Sequence, residues 1–175
     1  MHADVTSNTC SDFPSSYPPF VNPAPQERRT YFVTTGTANR RRIFQVEQNA
    51  KLLLDVLLGY RDQGRFLLHA FVIMPDHVHL LLTPAADVSL EKAVQFVKGG
   101  FAFRMKNRRP IWSCGFNEVQ VLDHAKFKAF KKYIAENPVR AGLSQSAEEY
   151  PLSSSALPQS IDPAPAQMSG LGHSS

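Results

Sequence analysis

Residues 65–83 read RFLLHAFVIMPDHVHLLLT, two apolar runs that are separated only by Pro75 and Asp76. Each run has the length of a strand, and a Pro-Asp pair suits a tight turn, so the sequence predicts an antiparallel hairpin. The second run carries two histidines, His77 and His79, inside an otherwise apolar segment. Because residues two apart on a strand point to the same face, both imidazoles are predicted to face the same way.

A strand and a helix precede this hairpin. Residues 29–37, RTYFVTTGT, interleave β-branched and aromatic residues with polar ones, which is typical of a strand. From residue 45 to about residue 60, Leu53, Val56 and Leu57 stand at helical spacing. The chain up to the end of the hairpin therefore has the order β-α-β-β.

A helix, a strand and a second helix follow the hairpin. Residues 89–109 form a basic amphipathic pattern that begins with a serine N-cap, and residues 116–122 alternate as a strand does. Asp123 is the expected cap of the last helix. We expect this helix to end at Asn137, because Pro138 disfavours helical geometry in the residue before it.

The complete order, β-α-β-β-α-β-α, is the split βαβ pattern of ferredoxin-like folds. The fold class is therefore predicted as α+β. We expect an antiparallel sheet of four or five strands with helices on one face, and an appended C-terminal helix that bears Tyr133.

Composition separates a folded domain from two tails. Nine of the 13 prolines lie in residues 1–26 or 151–175, and both ends are rich in serine and poor in charge. The prediction is a disordered tail over 1–26, a domain over 27–152 and a second disordered tail over 153–175. No secretory signal and no apolar run of membrane-spanning length is visible, so we expect a cytoplasmic protein.

The two cysteines, Cys10 and Cys114, show no spacing of a disulfide framework or a zinc site. We expect both of them to be free thiols. The two histidines of the hairpin could form half of a metal site, but taken alone they are better explained as hydrogen-bonded structural residues at the start of a strand.

Positive charge is concentrated in the domain. All 19 Lys and Arg lie between Arg28 and Arg140, whereas 11 of the 15 Asp and Glu lie in 28–150, which leaves a net charge of about +8 (19 minus 11). The bases group around residues 28–42, 98–109 and 126–140. Such clustering favours a polyanionic partner, nucleic acid above all.

The last predicted helix places a phenol and an amide on one face. Tyr133 and Asn137 are four residues apart, so both are expected to project from the same side of the helix near its end. Core packing with Phe127, Phe130 and Ile134 is the structural alternative for Tyr133, and a role at the helix terminus is the alternative for Asn137.

Two motifs carry a family resemblance. Residues 74–81, MPDHVHLL, and residues 133–143, YIAENPVRAGL, resemble the two signatures of the single-tyrosine HUH transposases, and are most similar to the REP-associated tyrosine transposases. The resemblance extends over about residues 29–154. It implies cleavage and rejoining of single-stranded DNA at REP-like hairpins, through a 5′-phosphotyrosine intermediate.

The resemblance also implies roles for individual residues. Tyr133 would be the nucleophile, with His77, His79 and Asn137 as ligands of a divalent metal, Mg²⁺ or Mn²⁺. Asp76, Lys131 and Lys132 would support them. The candidates for DNA binding are Arg40, Arg41, Arg42, Lys98, Arg104, Lys106, Arg108, Arg109 and Arg140.

The implied partner is single-stranded or hairpin DNA with REP-like palindromes, which would associate the protein with a bacterial nucleoid. A monomer is favoured, with a dimer as the alternative, and no membrane partner is expected. Trp112 and Phe116 would be either core residues or stacking platforms for unpaired bases.

Two other functions remain open from sequence alone. One is a domesticated regulatory protein that binds hairpin DNA without cutting it. The other is a nicking enzyme of the replication or relaxase type.

Overall fold

The computed structural model describes residues 28–168, which form one four-stranded antiparallel sheet and three α-helices. The elements are β1 (Thr30–Gly36), α1 (Glu47–Asp62), β2 (Phe66–Ile73), β3 (His77–Pro84), α2 (Leu90–Met105), β4 (Asn117–Val121) and α3 (His124–Arg140). The strand order across the sheet is β2-β3-β1-β4. It confirms the α+β class and the ferredoxin-like arrangement of the strands.

The sheet is buried on both faces. On one face, Val33, Phe71 and Leu80 belong to the core cluster that includes α1 and α2. On the other face, Val72 and Leu81 pack in a second cluster, which contains Phe127 and Ile134 of α3. Burial on both sides explains why the hairpin strands are almost continuously apolar.

The predicted hairpin is present. Val72 pairs with His79 and Ile73 pairs with Val78, and the Met74 amide closes the turn by donating to the His77 carbonyl at 2.8 Å. The register shifts between Leu68 and Ala70, so His69 lies at an irregularity of β2. The predicted turn at 75–76 is thus confirmed.

Both predicted helix caps are present. The Ser89 hydroxyl accepts from the Lys92 amide at 3.1 Å, and Asp123 Oδ1 accepts from the Lys126 amide at 2.7 Å. Each bond satisfies one of the amides that the first turn of a helix leaves without a partner.

The predicted end of α3 at Asn137 is wrong. The helix continues through Pro138 to Arg140, and Pro138 is buried. Proline lacks only its own amide, and the bonds of the next turn still form: the Ala141 amide donates to the Asn137 carbonyl at 3.0 Å. Gly142 then ends the turn with a positive φ of 70°.

The predicted domain boundary at 152 is also too early. The edge of β2 would expose unpaired amides and carbonyls, and the chain after α3 covers them. The Ile73 amide donates to the Leu152 carbonyl at 2.9 Å, and the Ser154 amide donates to the Phe71 carbonyl at 2.9 Å. Residues 153–168 therefore belong to the folded part of the chain, whereas the predicted tail over 1–26 lies outside the described residues.

Cys114 is disulfide-bonded, so the prediction of a free thiol is wrong for this residue. Cys10 lies outside the described residues. Within residues 28–168, no helix has both the length and the apolar character that crossing a membrane requires.

Candidate active site

Two imidazoles lie side by side at the start of β3. The pleat turns His77 and His79 toward the face of the sheet that α3 covers, and the centroids of their rings are 4.8 Å apart. His79 is buried with 5% of its surface exposed, whereas the side chain of His77 retains 21%. The predicted common orientation of the two histidines is confirmed.

Each ring is held through its Nδ1 atom. His77 Nδ1 lies 2.6 Å from Asp76 Oδ1, and His79 Nδ1 lies 2.8 Å from the hydroxyl of Thr34. A carboxylate only accepts hydrogen bonds, so His77 Nδ1 is the donor in its bond to Asp76. Thr34 is the cross-strand neighbour of His79 on β1.

Burial and neighbouring groups shift the pKa values of His79 and Asp76. Burial, together with the charge of His77, lowers the pKa of His79 to about 4, so this imidazole is neutral at pH 7. Burial opposes ionisation of Asp76, but hydrogen bonds from His77 and Arg40 outweigh it and hold the pKa of the carboxyl below its usual range. Asp76 is therefore a carboxylate that accepts from both residues.

Tyr133 of α3 lies against the histidine pair. Its ring centroid is 5.4 Å from that of His79, and 38% of the residue is exposed. Phe32 of β1 supports both groups, because it stacks on His79 at 5.4 Å and meets Tyr133 edge-on at 5.8 Å. Phe130 stacks on Phe32 in turn, at 4.5 Å. The ring of Tyr133 is thus fixed among aromatic groups while it remains open to solvent.

The first strand supplies two partners, Phe32 and Thr34, that no local sequence pattern assigns to the site. Phe32 and Thr34 alternate with core residues along β1 and so share the face of His79. In the sequence, Thr34 stands out only as a polar residue among β-branched and aromatic neighbours. Its pairing with His79 depends on the strand order.

The cation that lies over the phenol ring of Tyr133 is Arg140, and the supporting roles predicted for Lys131 and Lys132 stay predictions. Arg140 Cζ lies 5.8 Å from the Tyr133 centroid, on the same helix. Lys132 Nζ lies 3.7 Å from Glu136, and Lys131 contributes through its charge to the lowered pKa of His69, whose main cause is burial.

Asn137 lies one helical turn after Tyr133 and is half-buried. Among residues 28–168, no group of three or more His, Cys, Asp or Glu side chains is arranged to hold a metal ion. A metal at the histidine pair would therefore need further oxygen ligands of another kind, such as an amide, water or a phosphate.

Two basic segments that are distant in sequence meet beside this site. A side-chain nitrogen of Arg41 donates to the Pro110 carbonyl, and the Ala38 amide donates to the Ile111 carbonyl at 2.9 Å. Arg40 Nε lies 3.2 Å from Asp76 Oδ2. The predicted DNA-binding residues of 40–42 and 104–109 thus flank chain segments that meet at the His77 end of the sheet.

Lys98 has a structural role. Its ammonium donates to the Ser113 carbonyl at 3.0 Å and to the Gly115 carbonyl at 2.8 Å, and burial lowers its pKa. Trp112 Nε1 donates to the Lys98 carbonyl at 3.0 Å. Trp112 also packs against Phe44, at a centroid distance of 5.5 Å, which supports the core interpretation of this residue.

Phe116 is partly buried and packs against the same core cluster as Trp112. Trp112 and Phe116, the two candidates for base stacking, therefore both contribute to the core on the α1 and α2 side of the sheet.

Comparisons with known proteins point to one family. Residues 26–137 match the family model described as "Transposase IS200 like". A REP-associated tyrosine transposase of Escherichia coli (strain K12) is 28% identical over 127 residues, which cover 71% of this chain and 74% of the relative.

A solved structure of a REP-associated tyrosine transposase, bound to a REP hairpin, superposes with a TM-score of 0.67. The match covers 85% of this chain and 88% of that protein at 22% identity, and it shows a shared fold. The family match includes both histidines, Tyr133 and Asn137. This chain is therefore a member of the IS200-like transposase family, a family of DNA-processing enzymes.

Proposed function

We propose that this protein cleaves and rejoins single-stranded DNA, with Tyr133 as the nucleophile and a divalent cation at His77 and His79. The observation that carries the proposal is the convergence of the partly exposed phenol of Tyr133 with two anchored imidazoles, at 5.4 Å between the rings of Tyr133 and His79. A protein that only binds DNA needs neither a metal-binding histidine pair nor an accessible phenol beside it.

The histidine pair fits a metal through the neutral state of His79 and through the anchoring of His77. A metal ligand must be a neutral imidazole, and His79 is neutral at pH 7. Ligating histidines usually donate their second ring nitrogen to a carboxylate or another acceptor, and Asp76 holds His77 in that way. Asn137 is the proposed third ligand, since it lies one turn beyond Tyr133.

Two imidazoles with an amide favour Mn²⁺ on grounds of ligand softness, and Mg²⁺ is the alternative. When bound, the cation would polarise the oxygens of the phosphate that is attacked. The chain's own residues then position the nucleophile and balance its charge.

In the cleavage step, the phenol oxygen of Tyr133 forms a bond to phosphorus, and the bond between phosphorus and the 3′ oxygen breaks. The phenol proton passes to solvent, and the departing 3′ oxygen takes up a proton to give a free 3′-OH. Arg140, over the phenol ring, stabilises the negative charge that develops as the phenol loses its proton. A 5′-phosphotyrosine remains, so attack by another 3′-OH reseals the strand without an energy source.

Hairpin DNA is the proposed substrate. The structural relative was solved with a REP hairpin, and the basic segments around residues 40–42 and 104–109 of this chain lie near the His77 end of the sheet. Contacts of these cations with phosphates would hold the strand without reading its sequence. Tyr133 lies against the histidine pair of its own chain, which supports a monomer as the active form.

The test uses labelled single-stranded DNA from the flanks of the gene, incubated with Mn²⁺, with Mg²⁺ or with EDTA. The wild type should form a covalent protein–DNA adduct only with metal. The Tyr133→Phe variant should bind the same DNA with similar affinity and form no adduct, because it keeps the ring and lacks the attacking oxygen.

Two results would contradict the proposal. An undiminished adduct in Tyr133→Phe would show that another residue is the nucleophile. Hairpin binding by the wild type without an adduct under any metal condition would favour the non-cleaving regulatory protein.

A further inference from the structure

Phe103 is the most exposed large apolar side chain among residues 28–168, with 82% of its surface accessible. It lies in the last two turns of α2, whose buried side is formed by other residues, among them Val94, Val97 and Phe101. An aromatic ring that contributes nothing to the core leaves a large apolar area in water, so its presence calls for a partner.

The two residues before this ring along the helix face are glycines. A helical side chain leans back over the residues three and four positions before it, which for Phe103 are Gly100 and Gly99. A Cβ at Gly100 would lie 2.8 Å from Tyr60 Cε2, so the packing of α1 against α2 requires that glycine. A Cβ at Gly99 would meet only the flexible end of Gln95, at 3.0 Å. The ring thus stands over bare backbone.

Positive charge follows the ring along the chain. The four cations that follow it, which with Phe103 form the Phe103 surface, are Arg104, Lys106, Arg108 and Arg109. All four are exposed, and no salt bridge between described residues engages any of them. Residues 92–117 contain no Asp or Glu. This surface complements a polyanion and repels a second copy of itself.

The Phe103 surface leads toward the candidate active site. The chain that leaves it reaches Pro110, whose carbonyl accepts from Arg41, and the Thr37 amide donates to the Asp76 carbonyl at 2.9 Å. Asp76 in turn holds His77. A nucleic acid strand on the basic segments would therefore pass from the end of α2 to the histidine pair.

We propose that Phe103 stacks on an unpaired base of the DNA substrate while the four cations of the Phe103 surface bind the adjoining phosphates. The inference rests on the proposed function, because that function supplies DNA as the partner. Stacking on an aromatic ring requires a base that is free of its helix and tolerates any base, so this contact distinguishes single-stranded from paired DNA rather than one sequence from another.

The experiment compares two probes of equal length, a hairpin with a single-stranded extension and a blunt duplex. The Phe103→Ala variant should bind the hairpin about 5- to 150-fold more weakly than the wild type, the range expected for loss of one stacked base, and should bind the duplex as well as the wild type does. Phe103→Trp should retain the affinity for the hairpin, and Phe103→Leu should lose it, because leucine is apolar without a π face.

Salt dependence separates stacking from charge. The slope of log Kd against log salt should be unchanged in Phe103→Ala, whereas Arg108→Ala should lower its magnitude by about 0.7 to 0.9, the contribution of one phosphate contact. The matched control is Leu122→Ala, which removes a side chain that is 65% exposed and lies outside the Phe103 surface. Its affinity for both probes should equal that of the wild type.

Equal hairpin binding by wild type and Phe103→Ala would overturn the inference. A change of oligomeric state in Phe103→Ala, measured by sedimentation, together with unchanged DNA binding would also overturn it and identify a protein contact. Failure of the wild type to bind either probe would refute the proposed function itself. The comparison between the wild type and Phe103→Ala tests only the role of Phe103.

Discussion

At the scale of single residues, the histidines of the described sheet differ in how their ring nitrogens are bonded. His77 and His79 are each held through Nδ1, and the metal that we propose would bind at the other ring nitrogen. His69 instead uses both nitrogens: Nε2 lies 2.8 Å from the Thr83 hydroxyl and Nδ1 lies 3.3 Å from the Asp162 carbonyl. A ring with both nitrogens engaged is structural, and its burial makes it a pH-sensitive element of the fold.

We expect His69 to make the folded state less stable in acid. Burial lowers the pKa of His69, so the unfolded chain takes up a proton more readily than the folded one. The contribution of the neutral ring is present above the ordinary histidine pKa of about 6.5 and is lost as the pH falls toward the lower folded value, by at most about 1.4 kcal/mol per pH unit. Urea unfolding at pH 7.5 and at pH 5.5 measures this loss.

The matched variant is His69→Gln, which keeps a polar group toward Thr83 and does not titrate. It should be less stable than the wild type at pH 7.5, and its stability should fall by less between the two pH values. An equal fall in both proteins would show that other groups control the acid sensitivity.

At the scale of elements, the glycine pair of α2 allows two helices to pack closely. The helix is continuous through Gly99 and Gly100, although each glycine weakens a helix interior. The neighbours differ, since Gly100 faces Tyr60 and Val56 of α1 whereas Gly99 approaches only the side-chain end of Gln95. One glycine is therefore required by packing and the other is not.

Alanine at these two positions should have opposite effects. Gly100→Ala places a Cβ 2.8 Å from Tyr60 and 3.0 Å from Val56, so we expect overpacking that costs about 1–3 kcal/mol of unfolding free energy. Gly99→Ala should stabilise the chain by up to about 1 kcal/mol through helix propensity, provided that Gln95 moves aside. Chemical denaturation of both variants measures the difference, and equal changes would contradict this account of the interface between α1 and α2.

At the scale of the whole molecule, the segment after α3 closes the free edge of the sheet. Asp162 is its main anchor: Oδ1 lies 2.9 Å from Arg61, and Oδ2 accepts from the Leu68 amide at 2.8 Å. Tyr150 adds a bond from its hydroxyl to the Ile73 carbonyl, at 2.8 Å. These contacts tie the segment to β2 and α1, and they leave less of the β2 edge available for pairing with another chain.

Asp162→Ala should destabilise the folded state by about 1–3 kcal/mol, because it leaves the Leu68 amide and Arg61 without this acceptor. Asp62→Ala is the control, since Asp62 contacts the same guanidinium at 3.1 Å but its side chain is 66% exposed. An exposed pair of this kind contributes about 0–1 kcal/mol. Equilibrium unfolding compares the two, and similar losses would argue that the segment after α3 does not anchor the sheet.

The sequence by itself determined the order of the elements and the orientation of the histidines. These features depend on local rules: strand alternation puts His77 and His79 on one face, and short polar side chains cap the helices at Ser89 and Asp123. Helical spacing likewise placed Tyr133 and Asn137 one turn apart. Such signals act within a few residues, which is why the sequence alone carries them.

Only the tertiary structure decided which distant groups meet. Strand order brings Thr34 to His79, helix packing brings Tyr133 to the same imidazole, and the covered edge of β2 orders residues 153–168. The continuation of α3 through Pro138 has the same origin, since burial of the ring and the bonds of the following turn offset a local preference. The physical reason is that these outcomes depend on contacts between residues far apart in the chain, whose strength no local pattern records.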